Sequence, residues 1–125
     1  MNNRLLLSIK PKFANAILDG TKRFEFRRAL FRRKGVERVI IYASSPEQRV
    51  LGEFMIDDVL SLAPDSLWRR THAHAGIDRE YFDRYFAGRQ KAYAIKIKSA
   101  IRYRQPLELK KHFGVARPPQ SFCYV

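Results

Sequence analysis

The apolar positions of this chain change period several times, and each change marks an element. Leu5–Leu7 and Ile9 form a short apolar run closed by Lys10 and Pro11, so Arg4–Ile9 reads as a buried strand. Pro11 suits the first turn of a helix. Phe13, Ala14, Ile17 and Leu18 follow at helical spacing, and Gly20 supplies the stop. Over Thr21–Arg28 the period becomes two. Phe24 and Phe26 then share one face of a strand, and Arg23, Glu25 and Arg27 share the other. Arg32–Gly35 is a basic turn. Arg38–Ala43 is a central-type strand ending in Ser44-Ser45-Pro46. Arg49–Val59 is a second, longer strand in which Gly52 marks a bulge or a close approach.

The second half begins with helical signals. Pro64–Thr71 opens with proline and offers Leu67 and Trp68 as buried contacts. Asp78 is an N-cap for a helix over Arg79–Ala87, where Tyr81, Phe82, Tyr85 and Phe86 form an apolar stripe that Gly88 ends. Ala92–Tyr103 alternates, with Tyr93, Ile95 and Ile97 opposed to Lys96 and Lys98. Leu107–Phe113 is a short helix before Gly114, and the tail ARPPQSFCYV is apolar enough to pack back on the body. The strands are not separated by regular helices, which argues against a doubly wound parallel sheet. The expected class is mainly β with helices (α+β): a mostly antiparallel, partly closed barrel with helices at its mouth.

Composition narrows the partner. The 125 residues fit one domain, and 46% are hydrophobic, enough for a core. The 25 Lys and Arg outnumber 12 Asp and Glu, for a net charge of +13. Such a field concentrates anions, and nucleic acid is the commonest partner of a small domain of this charge. The expected partner is RNA or a nucleotide-like anion. Membrane binding is not expected: no basic amphipathic helix is found, and the run Leu5–Leu7 is too short for a signal-peptide core. Cys123 is the single cysteine, so no internal disulfide forms, and the cytoplasm is the expected compartment.

The densest chemistry lies in SIKPKFANAILDGTKRFEFRR. The first strand delivers Ser8 and Lys10 to a helix N-terminus, where anions are favoured. Lys22, Glu25 and Arg27 follow. A carboxylate among cations is either a solvated ion pair or an acceptor for the exocyclic amine of a base while the cations hold phosphate. The run resembles the opening of an ASCH domain, marked by G-x-K-x-x-E-x-R after the first helix. Gly20, Lys22, Glu25 and Arg27 match it position for position. YASSP at Tyr42–Pro46, GEF at Gly52–Phe54, YAIKI at Tyr93–Ile97 and PPQSF at Pro118–Phe122 resemble the rest of the domain. The resemblance implies a PUA-like pseudo-barrel, related to RNA-binding or modified-base-binding modules. It also implies a cleft between barrel and first helix where Lys10, Lys22, Glu25 and Arg27 converge.

Two functions follow as expectations. One is a module that binds RNA or a modified nucleotide through Lys10, Lys22, Glu25, Arg27, Arg28, Tyr42, Ser44, Ser45, Gln120 and Ser121. The other is a small hydrolase of a nucleoside or RNA, with Glu25 as general base and Lys22 as its electrostatic partner. One branch of the family resembles amidohydrolases of acylated cytidine that use a Lys and a Thr of this run. Lys22 matches the Lys, but Glu25 stands at the position of the Thr. No metal site is expected, since His72 and His74 are two apart and no cysteine pair exists. No cofactor motif is present.

Overall fold

A computed structural model describes residues 3–125. Six strands form one sheet in the order β2-β5-β4-β3-β1-β6. In chain order the elements are β1 (Arg4–Ile9), α1 (Pro11–Asp19), β2 (Phe24–Arg27), β3 (Arg38–Ala43), β4 (Arg49–Leu62), α2 (Pro64–Thr71), a 3₁₀ turn (His72–His74), α3 (Arg79–Tyr85), β5 (Ala92–Leu107), α4 (Leu109–Phe113) and β6 (Phe122–Tyr124). β1 and β3 run parallel, and every other pair is antiparallel. The sheet curls into a half-barrel and the class is α+β, as the pattern of periods implies.

The central strands are buried on both faces, which explains their unbroken apolar runs. Leu5, Leu7 and Ile9 of β1 pack with Ala14 and Ile17 of α1 on one face. Leu6 turns to the other face and joins Ile40, Val50 and Leu109. A further core lies under the helical insertion, where Phe24 and Phe26 of β2 meet Leu67, Phe82 and Phe86.

Several boundaries differ from the sequence reading, among them the end of α3, at Tyr85 rather than Ala87, and the start of α4, at Leu109 rather than Leu107. β2 begins at Phe24 rather than Thr21, because the turn after α1 takes Thr21 and Lys22. Gly20 sits at φ +90°, the Thr21 amide and hydroxyl both donate to Asp19, and the Lys22 amide donates back to the Ala16 carbonyl. β4 runs on to Leu62 because β5 pairs with it along its length. β5 continues to Leu107 beyond a wide irregularity between the pairs Val50–Leu107 and Gly52–Arg102, a place where Pro106 is tolerated. Gly52 is both the bulge and the close approach anticipated. A Cβ there would collide with the Ile101 carbonyl oxygen and lie 2.7 Å from the Leu18 side chain.

The tail returns as anticipated and pairs β6 with β1. The two edge strands are joined through side chains: Arg27 at the end of β2 donates to the Ser121 hydroxyl, 2.6 Å away, just before β6.

Candidate functional site

The turn that shortens β2 also sets the position of Lys22. With its amide tied to α1, the Lys22 side chain enters the space between α1, β2 and the helical insertion, where it is 2% exposed. Its ammonium donates to the Ala75 carbonyl at 2.6 Å and lies 5.1 Å and 4.8 Å from the ring centres of Phe13 and Phe26. Gly76 makes the room. It has φ +70°, and a Cβ there would stand 2.6 Å from the Lys22 Cβ. Burial pushes the Lys22 ammonium down to about 8, against the opposing pull of Glu25.

Glu25 sits on the face of β2 opposite the Phe24 and Phe26 rings, yet it is buried, at 5% exposed. The alternation predicted for this strand therefore separates two buried environments, an aromatic core and a polar pocket. Arg27, two residues on, donates to Glu25 Oε2 at 3.1 Å and to Ser121. The other carboxylate oxygen has no hydrogen-bond partner among the described residues. Burial raises the Glu25 carboxyl above its usual range, and Arg27 and then Lys22 hold it back.

These groups border a cavity of about 330 Å³. Its polar lining is Ser8, Lys10, Lys22, Glu25, Arg27, Ser44 and Gln120, and its apolar wall includes Phe13, Phe26, Ile77, Tyr81 and Tyr85. The C-terminal segment forms one side. The Ser8 hydroxyl donates to the Pro119 carbonyl at 2.6 Å, and the Ser8 amide donates to that of Ser121.

Of the residues singled out from sequence, Lys10, Lys22, Glu25, Arg27, Ser44 and Gln120 line this cavity. Ser121 touches it through Arg27. Three lie elsewhere. Tyr42 is 5% exposed on the far face of the sheet with Leu6, Ile40, Val50 and Leu109, because alternation along β3 turns it away. Ser45 is exposed and accepts a hydrogen bond from Gln48 within its own turn. Arg28 lies outside the cavity on the ring of Tyr85. The sequence reading assigned Tyr81 and Tyr85 to the core. The signal that separates them was present: Tyr81 and Tyr85 form one i, i+4 row and Phe82 and Phe86 a second, rotated by one residue. The phenylalanine row is buried and the tyrosine row half-buried, as expected of rings with a polar tip.

Comparison with known proteins places this arrangement. The ASCH domain model matches residues 7–101, a span that includes the α1–β2 run and the strands behind it. The chain is 30% identical over 121 residues to large ribosomal subunit protein uL22 of Ureaplasma parvum, covering 97% of itself but only 39% of that protein. It is also 30% identical to the ASCH domain-containing ribonuclease of Zymomonas mobilis, over 96% of itself and 82% of that relative. The crystal structure of ASCH from Zymomonas mobilis superposes with a TM-score of 0.89 at 28% identity, over 100% of this chain and 89% of that one. The N-terminal domain of Staphylothermus marinus McrB shares the fold at a TM-score of 0.56 and 12% identity. A lysine and a glutamate brought together after the first helix, a half-barrel behind them and this match over most of its length make the chain a member of the ASCH domain family.

Proposed function

We propose that the protein acts on RNA, seating one unpaired nucleotide in the cavity and cleaving the adjoining phosphodiester. The observation that carries this reading is the pairing of Lys22 and Glu25 at one cavity wall, each displaced by burial toward neutrality. Groups so displaced in a pocket mark acid–base work. A cavity of about 330 Å³ lies at the lower end of small-ligand sites and fits a nucleoside. The net charge of +13 and the likeness to a Zymomonas mobilis ribonuclease point to RNA as the substrate class.

In this reading Glu25 takes the proton of the ribose 2′-hydroxyl. The 2′-oxygen bonds to phosphorus as the bond to the 5′-oxygen breaks, and water at the open side protonates that leaving oxygen. The products are a 2′,3′-cyclic phosphate and a free 5′-hydroxyl. Lys10 and Arg27 face the phosphate, and the Lys22 charge, held behind the aromatic wall, stabilises the added negative charge.

A second reading, a binding module without turnover, is favoured by one observation. The Lys22 ammonium is already engaged by a carbonyl and two rings. Glu25→Gln separates the two. For the nuclease, cleavage of a labelled oligoribonucleotide falls about 100-fold or more while binding persists. For the module, the parent shows no cleavage of RNA and no release of acyl groups from acyl-cytidine, yet it binds RNA with a steep salt dependence. Each phosphate contact adds about 0.7 to the log–log slope for a single strand. A parent that binds no RNA at low salt overturns both.

A further inference from the structure

The cavity uses only part of the aromatic surface that α3 presents. Arg28 immediately follows Arg27, but where Arg27 reaches into the cavity, Arg28 folds over the outside of Tyr85. Its guanidinium carbon is 4.3 Å from the ring centre, and its Nε donates to the Tyr85 carbonyl at 2.7 Å. Among the described residues its two terminal nitrogens make no hydrogen bond, so they face solvent as free donors. The ring of Tyr81 lies 6.4 Å from that of Tyr85 and within 14° of parallel. Lys10 stands at the other end of this row, its ammonium 3.3 Å from the Tyr81 hydroxyl. The order along the rim is therefore cation, ring, ring, cation.

Packing accounts for only part of this row: Tyr85 packs against the core and Tyr81 meets Phe13 edge-on, yet both rings stay partly exposed. Phe82 and Phe86, not the tyrosines, fill the core beneath α3. Half-exposed rings flanked by cations with free donors are what a nucleic-acid strand requires. Bases stack on the rings with little regard to sequence, and the cations meet the phosphates between them. A surface salt bridge would serve solubility as well, but Arg28 has no carboxylate partner: its contacts are a ring and a carbonyl.

We infer that Arg28, Tyr85 and Tyr81 form a second nucleotide subsite outside the cavity, which holds the neighbour of the nucleotide seated inside it. Both rings are shared, since Tyr81 and Tyr85 also border the cavity, and Tyr85 carries Arg28 on its outer side. Arg28 takes the phosphate of the outer nucleotide, and the tyrosine row carries its base. The inference rests on the reading that the cavity takes a nucleotide of RNA.

The test compares 3′-phosphorylated mononucleotides with dinucleotides of each base, all 2′-deoxy so that none is cleaved, measured by competition against a fluorescent oligonucleotide of the same uncleavable kind. In the parent, adding the second nucleotide tightens binding about tenfold, which corresponds to ~1.4 kcal/mol for one stacked base and its phosphate. In Arg28→Gln that ratio falls to about one. Tyr81→Leu lowers it as well, and Tyr81→Phe, which keeps the ring, restores it. Arg28 is exposed, so a thermal melt of Arg28→Gln overlays that of the parent. A parent that binds mononucleotides with a ratio of one overturns the subsite and leaves the cavity reading standing. A parental ratio that survives both Arg28→Gln and Tyr81→Leu overturns it equally. A parent that binds neither mononucleotide nor dinucleotide overturns the cavity reading itself, and the subsite with it.

Discussion

Two glutamates of this sheet are each held by an arginine, and they do different work. Glu53 on β4 forms an ion pair with Arg38 at 3.0 Å through one oxygen and accepts a hydrogen bond from the Tyr103 hydroxyl at 2.9 Å through the other. Both oxygens are occupied, and the Arg38 side chain is 48% exposed. Glu25 on β2 has one oxygen on Arg27 and the second directed to a cavity, and the side chains of the pair are only 12% and 7% exposed. The first is a saturated ion pair that links neighbouring strands. The second leaves one carboxylate oxygen open to the cavity.

The widest separation of the two sites is expected in turnover. Glu25→Gln lowers RNA cleavage by about 10²–10⁴-fold, the range of a lost general base, whereas Glu53→Gln changes it by less than about threefold. Steady-state cleavage of one oligoribonucleotide by both variants checks this. Equal losses would erase the distinction.

The pH dependence of stability sharpens it further. Lys22 titrates near 8 when folded and near 10.5 when unfolded. Between these values the unfolded chain binds more protons, so the Lys22 contribution rises with pH from 8 to 10.5, by about 3 kcal/mol at ~1.4 kcal/mol per pH unit. Glu25 runs the other way. Its folded carboxyl is raised by burial, so its contribution falls as pH climbs out of the ordinary carboxylate range. Urea melts across pH detect both. Lys22→Met loses the alkaline rise, and Glu25→Gln loses the fall at acid pH. Profiles unchanged by these substitutions would mean that the two groups are solvated.

The smallest effect belongs to the saturated pair. Tyr103→Phe removes one hydrogen bond to a carboxylate that keeps Arg38, and costs about 1 kcal/mol in a denaturant melt at neutral pH. A loss above about 3 kcal/mol would show that Glu53 is as dependent on its partners as Glu25.

Much of this was legible in the chain. The apolar runs and their changes of period locate β1, α1, β3 and α2, because local sterics and amphipathic burial act within a few residues. The G-x-K-x-x-E-x-R run brings out Lys22, Glu25 and Arg27 in the same way. Alternation alone also separates the Phe24 and Phe26 face of β2 from the Glu25 and Arg27 face. Nothing in the run says that both faces are buried, since burial of the second depends on the tail some ninety residues later, where Ser121 meets Arg27.

The remainder was decided by tertiary structure, for a common reason: it depends on which distant segment arrives. Tyr42 reads as core or rim, and also as a ligand contact, until α4 and the far sheet face enclose it. Tyr81 and Tyr85 read as core until Phe82 and Phe86 take the buried positions and leave them beside Lys10 and Arg28. The charge of Lys22 is written in the chain. Its displacement is not, because that comes from burial in the space left by Gly76, more than fifty residues away. Periodicity is a local property and survives in one dimension. Desolvation is set by every segment that packs around a group, and only the folded chain supplies it.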